Sequence, residues 1–395
     1  MSFTVPFIGR LEQVYVKTEG QSTYGVSPTL ASTDAVRHLD LDLTYNALAR
    51  TNAMDKLSTP DQQRRISHRT AAGFDFKQIA MWPSGVLGTI PETDVLLTNG
   101  FGAKQAITPL STTVTAGTTP STTQMTLAAV TGLVANRSWV LINIASLGTN
   151  HPRLVTAIAT NLITVSPALP TAPATSDTVK SGVDYYPATN PASAFTVASY
   201  IPQLAGSSSA LYSREINGCV VDKMGFMFDG NNDAMMSFSG PGKTQTKPAQ
   251  TQPGAFTVPA TVPPPGILGN LRVGASAYPM LKAKIEVVNN MVVRNAEYGV
   301  STASSFYRKG RRTVTVQIDA YVEDPTAIYD NAVTAAGLSV LIQAGTTAGS
   351  LWALLLPKVE FDVPNTPDGE NELIWSFKGT ALGVNGNDEI YLGQL

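Results

Sequence analysis

Between residues 313 and 323 apolar and polar side chains alternate without a break. Val314, Val316, Ile318, Ala320 and Val322 fall on one side, and Thr315, Gln317, Asp319, Tyr321 and Glu323 on the other. A period of two fits only a half-buried β-strand, with one face in a core and the other wet. Asp324-Pro325 stops the ladder, because proline has no N–H to donate, and the same pair supplies an N-cap and a first-turn residue for a helix. Ile328, Val333, Leu338, Leu341 and Ile342 recur at roughly helical spacing. A helix is therefore expected from about residue 326 to about residue 343, with Ala335-Ala336-Gly337 in its middle allowing close packing on a sheet.

A weaker copy of this unit lies earlier in the chain. Leu39-Asp40-Leu41-Asp42-Leu43 alternates, a polar loop bearing arginines follows, then Phe74-Asp75-Phe76, and Ile90-Pro91-Glu92 opens a helix towards Phe101-Gly102. The later copy begins at Ala283-Lys284-Ile285-Glu286-Val287 and keeps the same order. Element order, loop length and the proline at the helix start agree, so the chain reads as an internal duplication.

The remaining stretches divide the chain further. Residues 1–36 form a turn-rich arm, around Ser22-Thr23-Tyr24-Gly25-Val26-Ser27-Pro28, that needs another surface to lie on. The loops 46–69 and 295–312 are long for hairpin connections and read as arms reaching a neighbour. Thr, Ala, Val and Pro dominate residues 112–180, with short strands at 124–127, 139–144, 153–157 and 162–165, which suits a small β-domain inserted in a loop. The first copy resumes at 181 with strands at 183–187, 195–200, 218–227 and 233–240. Residues 244–275 are proline-rich with almost no charge, hence a stiff linker lying on the surface. The expected domains are thus 1–111 with 181–243 for the first copy, 112–180 for the insertion, 244–275 for the linker and 276–395 for the second copy. The last strands fall at 351–363 and 372–382.

Composition narrows the function. Only 14% of residues are charged and the net charge is −2, which excludes a nucleic-acid binder held by bulk electrostatics. Abundant Gly, Pro, Ser, Thr and Ala suit a mainly β chain. The longest apolar run, 351–356, is about a third of the roughly twenty residues that span a bilayer, so no membrane is expected. Residues 1–10 lack the basic start and apolar core of a secretory signal, and Cys219 is the single cysteine, so assembly in a reducing cytoplasm is expected.

Candidate chemistry is sparse. His38, His68 and His151 lie in three segments without acid or cysteine at metal-ligand spacing, and Cys219 reads as a small buried hydrophobe. Gly240-Pro241-Gly242 and the glycines at 345–349 lack the lysine of a phosphate loop and read as turns. Asp40 with Asp42, or Glu360 with Asp362, stand about 7 Å apart along a strand and need no acid–base role. No catalytic residue, metal or cofactor is expected. The single basic cluster is Arg308, Lys309, Arg311 and Arg312, and the equivalent loop of the first copy carries Arg64, Arg65 and Arg69. A charged loop at a subunit contact explains both better than a nucleic-acid patch, which would want more stacking aromatics than Phe306 and Tyr307.

Several pieces together resemble the tail tube proteins of long, non-contractile-tailed bacteriophages, in a two-copy form. They are the arm Ser22-Thr23-Tyr24-Gly25-Val26-Ser27-Pro28, the strand entry Ser181-Gly182-Val183-Asp184-Tyr185-Tyr186-Pro187, the turn Ala344-Gly345-Thr346-Thr347-Ala348-Gly349-Ser350 running into Leu356-Pro357-Lys358-Val359, and the closing Gly386-Asn387-Asp388-Glu389-Ile390. The likeness covers most of the chain except 112–180. It implies a β-sandwich or split barrel with a flanking helix, whose inner sheet joins its neighbours around a channel, and rings that stack into a tube conducting the genome. Annular pairing also removes open sheet edges, which are otherwise a liability. Partners would be further copies of the chain, as trimeric pseudo-hexameric or hexameric rings, and other tail proteins at the tube ends. DNA would pass without specific binding, and the site of action would be the virion tail. A channel wall should not hold phosphates, so Asp40, Asp42, Asp75, Glu286, Gln317, Asp319 and Glu323 are the lumen candidates, with Lys77, Lys282 and Lys284 as exceptions. A decoration or adhesin protein of the virion surface shares the composition but has no use for duplicated units and long arms. An enzyme would want clustered acid, base or metal residues.

Overall fold

The computed structural model describes residues 12–20, 23–46, 50–52, 65–67, 71–105, 109–191, 193–202, 211–247, 252–254, 259–274, 276–321, 326–364 and 374–395. Its centre is a run of eight antiparallel strands: β1 (Asp40–Asn46), β2 (Ala71–Ala80), β3 (Lys223–Asp229), β4 (Met235–Gly242), β5 (Met280–Val288), β6 (Thr313–Tyr321), β7 (Trp352–Phe361) and β8 (Ile374–Ala381). They hydrogen-bond in the order β1-β2-β4-β3-β5-β6-β8-β7, as part of a larger sheet. The first four strands and the last four follow the same pattern, so the expected mainly β, duplicated architecture is present in a single wall. Alternation drives these strands: Phe74, Phe76, Phe226, Phe238, Ile285, Val316, Ile318 and Phe377 point into one continuous core that both halves share.

Pairing also reveals a repeat that the sequence reading missed. Ser237-Phe238-Ser239-Gly240 in β4 and Ser376-Phe377-Lys378-Gly379 in β8 occupy the same place in their halves. Gly240 faces Phe74 and Gly379 faces Val316. A side chain at Gly240 would collide with the Val220 carbonyl oxygen, and one at Gly379 would lie 2.7 Å from that of Glu360, so glycine is required where the backbones approach. From this anchor Phe74 matches Val316, Leu43 matches Ile285 and Tyr45 matches Val287.

Helix α1 (Asp94–Phe101) follows β2 as expected and ends at Gly102 in the left-handed region, φ 103°. Helix α2 (Thr326–Thr334) follows β6 but is half the expected length. Ala335 turns left-handed at φ 53°, Ala336 N–H donates to the Asn331 carbonyl at 2.9 Å, and a strand then runs Leu338–Ala344. The misleading apolar spacing has a physical cause. Val340 and Ile342 enter the main core while Leu341 enters another on the opposite face, and a strand buried on both faces shows no alternation. The capping pair Asp324-Pro325 lies outside the described residues.

The segment 111–181 forms its own six-stranded sheet, in which Trp139–Ile144 pairs with Thr149–Ala159 and Thr178–Ser181. It has a core of its own around Val140, Ile142 and Val155. Its other face is not free: Trp139, Leu141 and Leu154 pack against Leu341, Leu351, Leu355 and Leu395 of the second half. The expected strand 218–227 is two elements, Leu211–Cys219, with Gly218 at φ 69°, and β3, separated by residues 220–222. The proline-rich stretch is less of a linker than expected, because Thr244–Thr246 and Gly269–Val273 join sheets of the two halves. Both long loops carry a two-stranded ribbon, Arg50–Asn52 with Arg65–Ser67 and Met291–Arg294 with Ser305–Arg308.

Candidate assembly edges and wall face

One face of the eight-stranded wall packs into the core, and the other is uncovered except at the start of β7, where Ala353 and Leu355 meet the inserted sheet. The uncovered face gathers Asp40, Asp42, Asp75, Glu286, Gln317 and Asp319, six of the residues singled out from the sequence; Glu323 lies outside the described residues. Register sets them in rows. Asp42 faces Asp75, Asp75 faces Ser239, and Ser239 faces Lys223. Lys284 stands between Met227 and Gln317, and Lys282 between Asp229 and Asp319.

The face is less acidic than the sequence reading supposed. Lys77, Lys223, Lys282, Lys284, Lys358 and Lys378 stand among Asp40, Asp42, Asp75, Asp229, Glu286, Asp319, Glu360 and Asp362, and the eight strands contain no arginine. Three lysines touch carboxylates on the same face: Lys77 with Asp40 at 3.4 Å, Lys284 with Glu286 at 3.6 Å and Lys358 with Glu360 at 3.0 Å. Exposed pairs of this kind add little stability, but they place a carboxylate beside each cation and flatten the local potential. Asp229 is held below the usual carboxylate range, chiefly by the Asn231 N–H and the Asn232 side chain.

Among the described strands the wall has two unpaired borders. The outer side of β1 pairs with no described strand. At the other end β7 leaves the wall partway along its length: residues 352–355 pair with Tyr391–Gln394, and only Val359–Phe361 pairs with β8. The Asp362 N–H continues that ladder by donating to the Lys378 carbonyl at 2.8 Å. Past Val359 no described strand pairs with the other side of β7. Tyr45 is 39% exposed on the first border and Val363 49% on the second.

The junction between the halves is sealed by side chains that the sequence did not flag. The β3–β5 ladder runs through seven pairs, from Lys223 opposite Val288 to Asp229 opposite Lys282. Asn289 Nδ2 donates to the Gly100 carbonyl at 2.8 Å, at the end of α1. Arg312 donates to Asn289 Oδ1 (2.8 Å), Glu389 Oε1 (2.8 Å), the Phe101 carbonyl (3.0 Å) and the Ala188 carbonyl (2.9 Å), with its side chain 3% exposed.

Arg312 is therefore taken up inside the chain and is withdrawn from the outward-facing contact residues expected of this cluster. Arg308 is half-buried, donates to the Ala188 carbonyl at 3.5 Å, and has its pKa lowered to about 10 by burial and by the neighbouring Arg312. Lys309 and Arg311 are exposed beside the ribbon. Arg65 lies on the backbone of the equivalent ribbon, and Arg64 and Arg69 lie outside the described residues. The closing segment begins later than expected, at Tyr391, because Asp388 instead caps the turn by accepting from Val384 and Asn385 N–H at 2.8 Å each.

Cys219 is fully buried and its thiol is pushed up by burial. His151 is lowered to about 4 by burial and by Arg153 and Arg272. Among the described residues no group of three or more acids, histidines or cysteines could hold a metal, and no helix is long and apolar enough to cross a membrane.

No curated protein matches the chain. The family model for the phage tail tube protein matches residues 142–374, from the inserted sheet through β3, β4, β5, β6 and β7 to the start of β8. That match spans more than half of the sequence, and the chain belongs to the phage tail tube protein family.

Proposed function

We propose that this structural virion protein closes into rings through the two borders of its wall, and that the rings stack into a tube for genome delivery. Three chains, each with two repeats, make one pseudo-hexameric ring. The uncovered face of the wall lines the channel, and Asp40, Asp42, Asp75, Glu286, Gln317 and Asp319 stand on it. The observation that carries this reading is the β3–β5 ladder, in which one repeat already completes the border of the next within a single chain. Open edges of a long sheet invite pairing, and a closed ring satisfies them all. Charge sparsity and the pairing of three of the six lysines with carboxylates suit a wall that DNA slides past, since fewer cations are then free to displace phosphate counterions.

The ribbons at Arg50–Asn52 with Arg65–Ser67 and at Met291–Arg294 with Ser305–Arg308, with Lys309 and Arg311, contact neighbouring subunits or successive rings. Assembly takes place in the host cytoplasm, and the role is architectural rather than catalytic. Light scattering and negative-stain microscopy at rising concentration should show rings and then tubes. A chain that stays monomeric throughout contradicts the reading.

A further inference from the structure

The junction inside the chain gives the register of the junction between chains. In β3, Met224 faces Phe238 of β4 on one side and Val287 of β5 on the other. Phe238 corresponds to Phe377 through the repeated Ser-Phe-Xaa-Gly segment. Phe361 faces Gly379, and continuing that ladder by two residues sets Val363 opposite Phe377. Val363 is thus the counterpart of Met224, and Tyr45 is the counterpart of Val287. Met224 and Val287 are 1% and 0% exposed, whereas Val363 and Tyr45 are 49% and 39% exposed.

We infer that the border of β7 at residues 361–363 pairs antiparallel with β1 of a second copy of this chain, with Val363 opposite Tyr45. This rests on the ring reading above and adds to it which residues meet. Three features of the borders fit that occupant. Each carries an apolar side chain at the position that is buried in the internal junction. The Asp362 N–H is spent on β8, so those of Phe361 and Val363 point to the open side. Pro364, which has no N–H, falls where the donor would face β8, so it weakens the hairpin and leaves the outer border able to pair. The helix ends differ in the same sense: α1 is capped by Asn289 and Arg312, while Tyr329 and Val333 of α2 are exposed.

The test is a disulfide trap in the full chain carrying Tyr45→Cys and Val363→Cys, assembled under reducing conditions and then oxidised. Cys219 is buried and contributes no background. A ladder of covalent multimers on a non-reducing denaturing gel is expected, ending at the number of chains in a ring, and neither single variant should give it. Rings that form without a ladder, or that give one only for the slipped pair Leu43→Cys with Val363→Cys, overturn the register. Amide exchange of the unmodified chain is an independent readout that a misfolded variant cannot spoil. Assembly should slow exchange in 40–46 and 361–363 and leave 223–229 as protected as before. Rings without that protection overturn the inference, whereas an unmodified chain that never forms rings contradicts the ring reading itself.

Discussion

Helix α1 and helix α2 follow matching strands of the two halves, yet Leu96, Leu97 and Phe101 of α1 are fully buried while Tyr329 and Val333 of α2 are exposed. Behind the first half lies a second sheet built from Gln13–Thr18, Ala35–Val36, Phe195–Pro202, Leu211–Cys219 and Thr244–Thr246. Behind the second lie Gly269–Val273, Leu338–Ala344 and part of β7, covered in turn by the inserted sheet. What repeats is the wall, because its pairing and period-two alternation must work in both copies. The backing differs because each half only needs some apolar surface at its rear. The junction makes the same contrast: the end of α1 is closed by Asn289 and Arg312 of the second half, whereas Tyr329 and Val333 of α2 are exposed.

Arg312→Ala should break that asymmetry most severely. It leaves Glu389, Asn289 and two carbonyls without their donor in a site from which water is largely excluded. A loss of about 3 kcal/mol is expected on chemical denaturation, and Arg312→Lys should recover little of it, since an ammonium cannot reach four acceptors from one plane. A loss below about 1 kcal/mol would mean the clamp is incidental.

The matched glycines compare the halves directly. Gly240→Ala forces a side chain into the Val220 carbonyl, whereas Gly379→Ala meets that of Glu360 at 2.7 Å at a border where the strands are freer to part. Expected costs are about 3 kcal/mol for the first and about 1 kcal/mol for the second, read as shifts in unfolding midpoint. Equal costs would show that the β7–β8 border is as rigid as the interior of the wall.

These glycines also mark how far the sequence could be read. Most wall strands are legible because they keep one wet face, and the inserted sheet because its composition changes at its boundaries. The strand Leu338–Ala344 reads as helix in the sequence because it is buried on both faces, and no strand period survives that. Asn289 and Glu389 could not be found, since a single polar residue signals a clamp only when its partners, here far apart in the chain, are known. The Ser-Phe-Xaa-Gly repeat was present in the letters and could have fixed the alignment of the halves without any structure.

Charge reversal tests whether the uncovered face of the second half looks into the channel. Particles carrying Asp319→Lys with Glu323→Lys should still have tails but release DNA more slowly, by roughly a few-fold at low ionic strength, because each unpaired cation gains phosphate affinity through counterion release. The difference should close as salt rises and screening shortens. Unchanged ejection kinetics at low salt would put this face on the outside.

The smallest expected effect is a pH dependence at Asp75, whose counterpart in the second half is the uncharged Gln317. Burial first, and then the charges of Asp42 and Asp40, push the Asp75 carboxyl above its ordinary value of 3.8, against the pull of Lys77. The folded chain therefore binds this proton more tightly than the unfolded chain does. The group contributes stability that is fully present below pH 3.8 and is lost as the pH rises through the folded value. Asp75→Asn makes the first half resemble the second and should stabilise the protein at pH 7 by only a few tenths of a kcal/mol, because the site is largely open to solvent. Near the ordinary value and below it the acid is protonated in both states and resembles the amide, so the gain should fade. Thermal unfolding of both proteins at pH 7 and at acid pH measures this, and a loss at pH 7 that fades on acidification would show that Lys77, not burial, governs Asp75.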